Sequence, residues 1–192
     1  ASDYTRAEMN LLSGQAYTAL GMPEQAYARY MDSILNYPRS YDSYSGLVEL
    51  VNSGQPVDEL VRGLVDYYAG QYGVAVEAFQ RYLAANITHE GTVHYFMGWS
   101  YLEMGSVDEA IAEWRMLIRD HAGDRYWSNA WFDIAEAQWM YLDEYGEAAQ
   151  TLLDYVALVP DANDAAEACF TAARILERDG RLSEAADTWE RM

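Results

Sequence analysis

Three histidines, one cysteine and thirty-one carboxylates are the side chains of this 192-residue chain best suited to chemistry. The stretch HEGTVH, residues 89–94, comes nearest to a recognised motif, the H-E-x-x-H helix that holds zinc between two imidazoles one turn apart. Its spacing is one residue too long. On a helix His89 and His94 would stand about 140° apart and could not share a metal on one face. The competing reading puts His89 in a turn and His94 on a packing face. His121 falls at a predicted helix end, beside the last carbonyls. Cys169 lies among Ala165, Ala172 and Ala173, where a thiol packs as a small hydrophobe, and no His near it in sequence could act as a base.

Glu103, Asp108, Glu109, Glu113, Asp143, Glu144 and Glu147 crowd the predicted turns and first helical turns. Capping and the helix dipole account for acids in such places. Glycosidase-type chemistry needs two carboxylates across a cleft with unequal pKa values, and no such pair stands out. There is no phosphate-cradling glycine loop and no calcium loop. The expectation is therefore no catalytic residue, no metal and no cofactor: a non-enzyme, with any catalytic domain lying outside this chain. Asn86 heads an N-x-T sequon, a signal with meaning only in a secreted eukaryotic context.

Charge narrows the choice of partner. The formal net charge is −19, and all twelve basic residues are Arg. Phosphate backbones and anionic membranes need clustered positive charge, so nucleic acid is not an expected partner and a basic or neutral protein surface is. No run of eighteen apolar residues exists to insert into a membrane. A single Cys cannot close an internal disulfide. The opening ASDYTRAEMN lacks the basic-then-apolar pattern of a signal peptide.

The elements that must position these side chains repeat along the chain. GMPEQAYARY begins at Gly21, GQYGVAVEAF at Gly70, GSVDEAIAEW at Gly105, DEYGEAAQTL at Asp143 and GRLSEAADTW at Gly180. The sixth residue of each is alanine: Ala26, Ala75, Ala110, Ala148 and Ala185. Four residues on comes a large apolar side chain: Tyr30, Phe79, Trp114, Leu152 and Trp189. That spacing puts both on one helix face. Upstream of each break lies another helical pattern with a small residue about a turn before a large one, as in Gly14 then Tyr17, Gly98 then Tyr101, and Ala173 then Leu176. The glycine at the break closes one helix in a left-handed cap, and the acids behind it open the next, with Ser106 or Asp108 able to cap the third. Asp143 in place of glycine predicts a wider or different turn in the fourth.

The pattern predicts eleven helices: 3–20, 23–36, 41–53, 57–69, 72–86, 90–104, 107–121, 126–142, 145–158, 163–179 and 182–192. Pro38 and Pro160 fall just past helix ends, and no segment alternates at period two. Helices of about fourteen residues are marginal alone and must gain stability by stacking. The predicted fold is all-α, a right-handed α-α superhelix of helix hairpins in one helical-repeat domain, 1–192. Its repeats are about 3–38, 57–88, 90–124, 126–160 and 163–192. An extra helix at 41–53 is wedged between the first and second. Ala185, Trp189 and Met192 would lack a following repeat to cover them, which suggests a piece of a longer chain.

Read as W-x2-L-G-x2-Y, then Gly, Ala, a large aromatic and Pro, the pattern resembles the tetratricopeptide repeat. MGWSYLEMGSVDEAIAEW carries it best, and LSGQAYTALGMPEQAYARYMDSILNYP nearly whole. The resemblance implies a scaffold that binds a protein, a peptide or an adjoining domain of its own chain. More narrowly, PVDELVRGLVDYYAGQYGVAVEAFQRYL, AQWMYLDEYGEAAQTLLDYV and AARILERDGRLSEAADTWERM look like the helical-repeat region of bacterial soluble lytic murein transglycosylases. That second resemblance implies the cell envelope as location, peptidoglycan as a partner and catalysis in a separate domain. Without it, the expected location is the cytoplasm.

In such an architecture the residues flanking the packing stripe of each first helix line an inner groove. Helical phase assigns Tyr68, Tyr95, Trp99, Phe132, Glu136, Trp139, Phe170 and Arg174 to it. Aromatics on a groove bind extended chains, peptide helices or, by stacking, sugar rings. The competing reading makes several of them core residues of broad repeats. A carboxylate clamp of the kind some tetratricopeptide proteins use needs Lys as well as Arg, and Lys is absent.

Overall fold

The computed structural model describes residues 2–190. Among them are eleven α-helices and no strand: α1 (Asp3–Ala19), α2 (Pro23–Asn36), α3 (Tyr41–Asn52), α4 (Glu59–Tyr68), α5 (Tyr72–Ala85), α6 (Thr92–Glu103), α7 (Val107–Asp120), α8 (Trp127–Tyr141), α9 (Tyr145–Leu158), α10 (Ala165–Arg178) and α11 (Leu182–Glu190). Every described boundary lies within two residues of its expected place. Met192, and with it the expected end of the last helix, lies outside the described residues. Two compact bodies result: α1 to α5 with the C-terminal half of α6, and the N-terminal half of α6 with α7 to α11.

Three helix starts in the first body, those of α1, α3 and α4, are capped by side chains. Ser2 Oγ accepts from Thr5 N–H, Ser40 Oγ from Asp42 N–H, and Asp58 Oδ1 from both Leu60 N–H and Val61 N–H. Each such cap is worth about 1 kcal/mol. Pro23 opens α2 at a position where no donor is lost. Elsewhere the expected cap is missing: Ser106 stands at the start of α7, but its side chain makes no capping bond there. Its backbone, at φ −88° and ψ 71°, is not the extended form that turns a serine hydroxyl onto the helix. Asp108 and Glu109 in the first turn still complement the dipole.

The turns follow one rule with one exception. Gly21, Gly70, Gly105 and Gly180 all adopt φ between 70° and 81°, the left-handed region that glycine enters without strain. In the first, second and fifth hairpins the next N–H then reaches back six-to-one: Met22 to Tyr17 C=O, Gln71 to Asp66 C=O, Arg181 to Leu176 C=O. At the fourth turn Asp143 takes φ 56°, the only non-glycine positive φ among the described residues. There Glu144 N–H bonds Gln138 C=O, one residue further back. That turn is wider, as its sequence predicts.

The five repeat alanines are at most 2% exposed. The large residues four positions later explain the small ones upstream. Tyr30 lies over Gly14, Phe79 over Gly63 and Trp114 over Gly98, so closely that a Cβ on any of the three glycines would sit 2.3 Å from a ring atom. Tyr30, Ile34, Leu47, Leu50 and Val65 form the centre of the first body. The extra helix α3 packs on α1, α2 and α4, between the first two hairpins, as expected. In the second body Leu152 and Tyr155 are fully buried in an alanine-rich centre built from α8, α9, α10 and α11. Ala185 is 2% exposed within it, and Trp189 donates its indole N–H to Glu177 and meets Phe170 edge-on. Their contacts are with the preceding helix, α10, and Trp189 is part-buried.

One buried polar side chain in the first body is poorly satisfied. Asp66 is 3% exposed, and its Oδ2 has no hydrogen-bond partner. Arg62 Nε lies 3.7 Å away, an ion pair too long to share a proton. Burial pushes the Asp66 carboxyl up to about 6, against the opposing pull of Arg62 and Arg81.

Candidate functional site

The eight residues assigned to a groove divide between the two bodies, and they do not share one environment. Tyr68, on α4, carries the Arg39 guanidinium over its ring at 5.2 Å. Trp99, on α6, is half-buried in the same body. In the second body Tyr95 stacks on Tyr126 with ring centroids 4.1 Å apart and planes 3° from parallel. Phe132 sits edge-on to the buried Tyr155 at 5.7 Å. Tyr95, Tyr126 and Phe132 are each part-buried in these contacts. Helical phase names the face a side chain leaves from, but not the neighbour that meets it.

Two of the remaining four, Trp139 and Arg174, line one surface. Trp139, Arg174 and Phe170 lie on α8 and α10, and Glu136 is exposed three residues before Trp139. Trp139, Thr171, Arg174, Ile175, Glu177 and Arg178 bound a cleft of about 440 Å³. The Arg178 guanidinium stands 5.2 Å over the Trp139 ring, a cation–π contact that also brings positive charge to the rim. Arg174 Nη1 donates to Glu177 Oε2 at 3.0 Å, and Phe170 is 50% exposed. An aromatic floor beside two guanidiniums and a carboxylate can seat an apolar side chain and orient polar groups next to it. Arg178 has no place in the sequence expectation, although its position four residues after Arg174 is the signal that could have found it.

Two of the histidines, His94 and His121, come together in a way that spacing along one helix does not predict. His89 lies in the segment before α6, outside any helix, and His94 is buried in α6. Both positions match the expectation for each residue taken singly. His121 ends α7, its N–H bonded to Leu117 C=O, and its ring lies 5.6 Å from that of His94, centroid to centroid. His94 Nδ1 donates to Glu113 Oε2 at 2.7 Å. Cys169 is buried and about 5% exposed, packed as a small hydrophobe.

Comparison with known proteins adds the fold. A tetratricopeptide repeat family model matches residues 95–123. No curated protein matches. Two solved structures of Podosopora anserina kinesin light chain nearly identical TPR-like repeats align with the chain, each at 14% identity and a TM-score of 0.54. One covers 100% of this chain and 94% of its own length, the other 96% and 92%. At that identity the likeness is one of fold, and the fold it shows is an all-helical array of TPR-like hairpins.

Proposed function

We propose that this chain is a non-catalytic, TPR-like interaction scaffold that binds a protein or peptide, or an adjoining domain of its own chain, through the α8–α10 cleft. The observation that carries the reading is Trp139 with Arg174 and Arg178 at one cleft of the second body, with the exposed Phe170 on the same helix as both arginines. Binding energy concentrates in aromatic and arginine anchors of this kind. The net charge of −19 favours a partner with a neutral or basic surface, which then presents its own apolar or acidic side chain to the two guanidiniums. Tyr68, Tyr95, Trp99, Phe132 and Glu136 have supporting places at most in this reading.

The test is an affinity capture with wild-type chain and with Trp139→Ala and Phe170→Ala variants, each checked for native helicity by circular dichroism. Partners held by wild type should fall at least tenfold in both variants. Capture that is unchanged in both removes the cleft as the site. The finer reading, a superhelical arm of an envelope lytic transglycosylase that engages peptidoglycan, has the three sequence segments quoted above as its support. Sedimentation of the chain with purified peptidoglycan tests it directly, and no co-sedimentation would set it aside.

A further inference from the structure

We propose that a second cleft of the second body, between α7, α8 and α9, is a docking groove for an extended segment of a partner protein that carries two basic side chains two or four residues apart. The cleft holds about 270 Å³, and its lining includes Arg115 of α7, Trp131 and Gln138 of α8, and Glu147 and Asp154 of α9. It shares no residue with the α8–α10 cleft and stands on its own observations. The first is Gln138, which is only 2% exposed yet lines the cleft. Its Oε1 accepts from Thr151, and the amide NH₂ beside that oxygen has no hydrogen-bond partner among the described residues. The indole N–H of Trp131, on the same helix and in the same lining, is buried and also has none. Buried donors are almost always bonded, so two of them at one cleft mark a place for an acceptor that comes from outside. An extended chain brings such an acceptor at every residue, its backbone carbonyl.

The second observation is the charge at the rim. Glu147 and Asp154 are exposed and stand two turns apart on one face of α9, about 10 Å along its axis. Neither makes an ion pair among the described residues. Arg181, whose charge acts on Glu147, is committed elsewhere: it donates twice to Glu184. In an extended chain alternate side chains point the same way, about 7 Å apart at i and i+2 and about 13 Å apart at i and i+4. The long stems of Lys and Arg let either spacing reach both carboxylates. Arg115, on the α7 side, repels a cation there and so steers the basic side chains to α9. The net charge of −19 adds a long-range attraction for the same segment. The donors thus recognise the backbone of the strand, and the carboxylates select its side chains.

The experiment titrates the whole chain into fluorescein-labelled, end-capped peptide pools and reads polarisation at about 150 mM salt, where loose surface attraction is screened. One set of pools fixes two Arg residues two or four positions apart in a degenerate neutral background; comparison pools carry Ala or Glu at those positions. The Arg pools should bind about tenfold more tightly than the Ala pools, and the Glu pools least. Glu147→Gln with Asp154→Asn should weaken the Arg pools about fivefold or more. A charge-matched control at exposed acids of the first body, Glu8→Gln with Glu49→Gln, should change them less than about twofold. Gln138→Met, which removes the amide at similar volume, should weaken the Arg pools about threefold or more, and Trp139→Ala in the other cleft should leave them as they are. Circular dichroism checks each fold, and the exposed carboxylate pair keeps the test decisive if Gln138→Met unfolds. Pools that bind alike overturn the proposal. So does an equal loss in the carboxylate pair and its charge-matched control, since the attraction would then be that of bulk charge, and so does a folded Gln138→Met chain that binds as wild type.

Discussion

The second hairpin, α4–α5, and the fourth, α8–α9, solve the same packing problem with opposite materials. In the second, Phe79 rests on Gly63 and the turn is closed by Gly70. In the fourth, the large residue is Leu152, the small one beneath the same stripe is Ala135, and the turn is closed by Asp143 with an extra residue. A ring needs the whole volume of a missing Cβ; a branched aliphatic side chain leaves room for a methyl. The residue whose carbonyl closes each turn is buried and polar in both, Asp66 in one and Gln138 in the other. Gln138 Oε1 accepts from Thr151 Oγ1 at 2.8 Å, whereas Asp66 Oδ2 has no hydrogen-bond partner. A neutral amide with a hydroxyl partner is comfortable at this position, and a carboxylate is comfortable there only when protonated.

The largest test of this contrast is pH. The folded-state pKa of Asp66, about 6, lies above its ordinary 3.8, so the folded chain holds this proton more tightly than the unfolded chain. Its contribution is complete below about pH 4 and is lost as pH rises through 6, a swing on the order of 3 kcal/mol. Asp66→Asn has no such titration. Urea unfolding of both proteins from pH 3.5 to 7.5 should show wild type losing ground to the variant between pH 4 and 6.5. A difference that stays flat with pH would mean that Asp66 is at ease in the fold.

Next in size is Gly63→Ala. The added Cβ would meet Phe79 Cε1 at 2.3 Å, an overpacking cost of about 1–3 kcal/mol or more, offset by the roughly 1 kcal/mol that alanine gains over glycine in a helix. A net loss of about 2 kcal/mol is expected in the denaturation midpoint. Ala135→Gly in the fourth hairpin gains no such relief and should cost about 1 kcal/mol. Thr151→Val, which leaves Gln138 Oε1 buried without its donor, should cost about 1–2 kcal/mol by the same measurement. The smallest effects are at the turns. Gly70→Ala should lose about 1 kcal/mol and Asp143→Gly should gain about 0.5–1, since both positions hold positive φ. Equal and opposite responses would confirm that the two turns differ in strain; no response at Asp143 would show that its extra residue relieves it.

Much of this was legible in the residues. Glycine and proline punctuate the helices because φ and the missing donor act locally, so the boundaries are local too. The alanine stripe and the wider fourth turn follow from spacing alone. The partners of side chains do not. Phe132 and Tyr95, assigned to a groove by helical phase, are met by Tyr155 and Tyr126, which arrive from elsewhere in the chain. The meeting of His94 and His121 escaped a motif search because His121 enters from the end of another helix. The distance rule for two ligands on one helix is sound, but it does not apply to that geometry.

The glycine notches under Tyr30, Phe79 and Trp114 have a consequence for how such chains can change in length. Each ring lies sixteen residues after its notch, so adding or removing one residue between them rotates the ring by a quarter turn and drives it into a neighbouring side chain. These three hairpins are frozen in register and should reject insertions at their turns. The fourth, built on Leu152 and carrying no notch, has already taken one, and it is the place where a loop or a reporter could be spliced in with the helices left as they are.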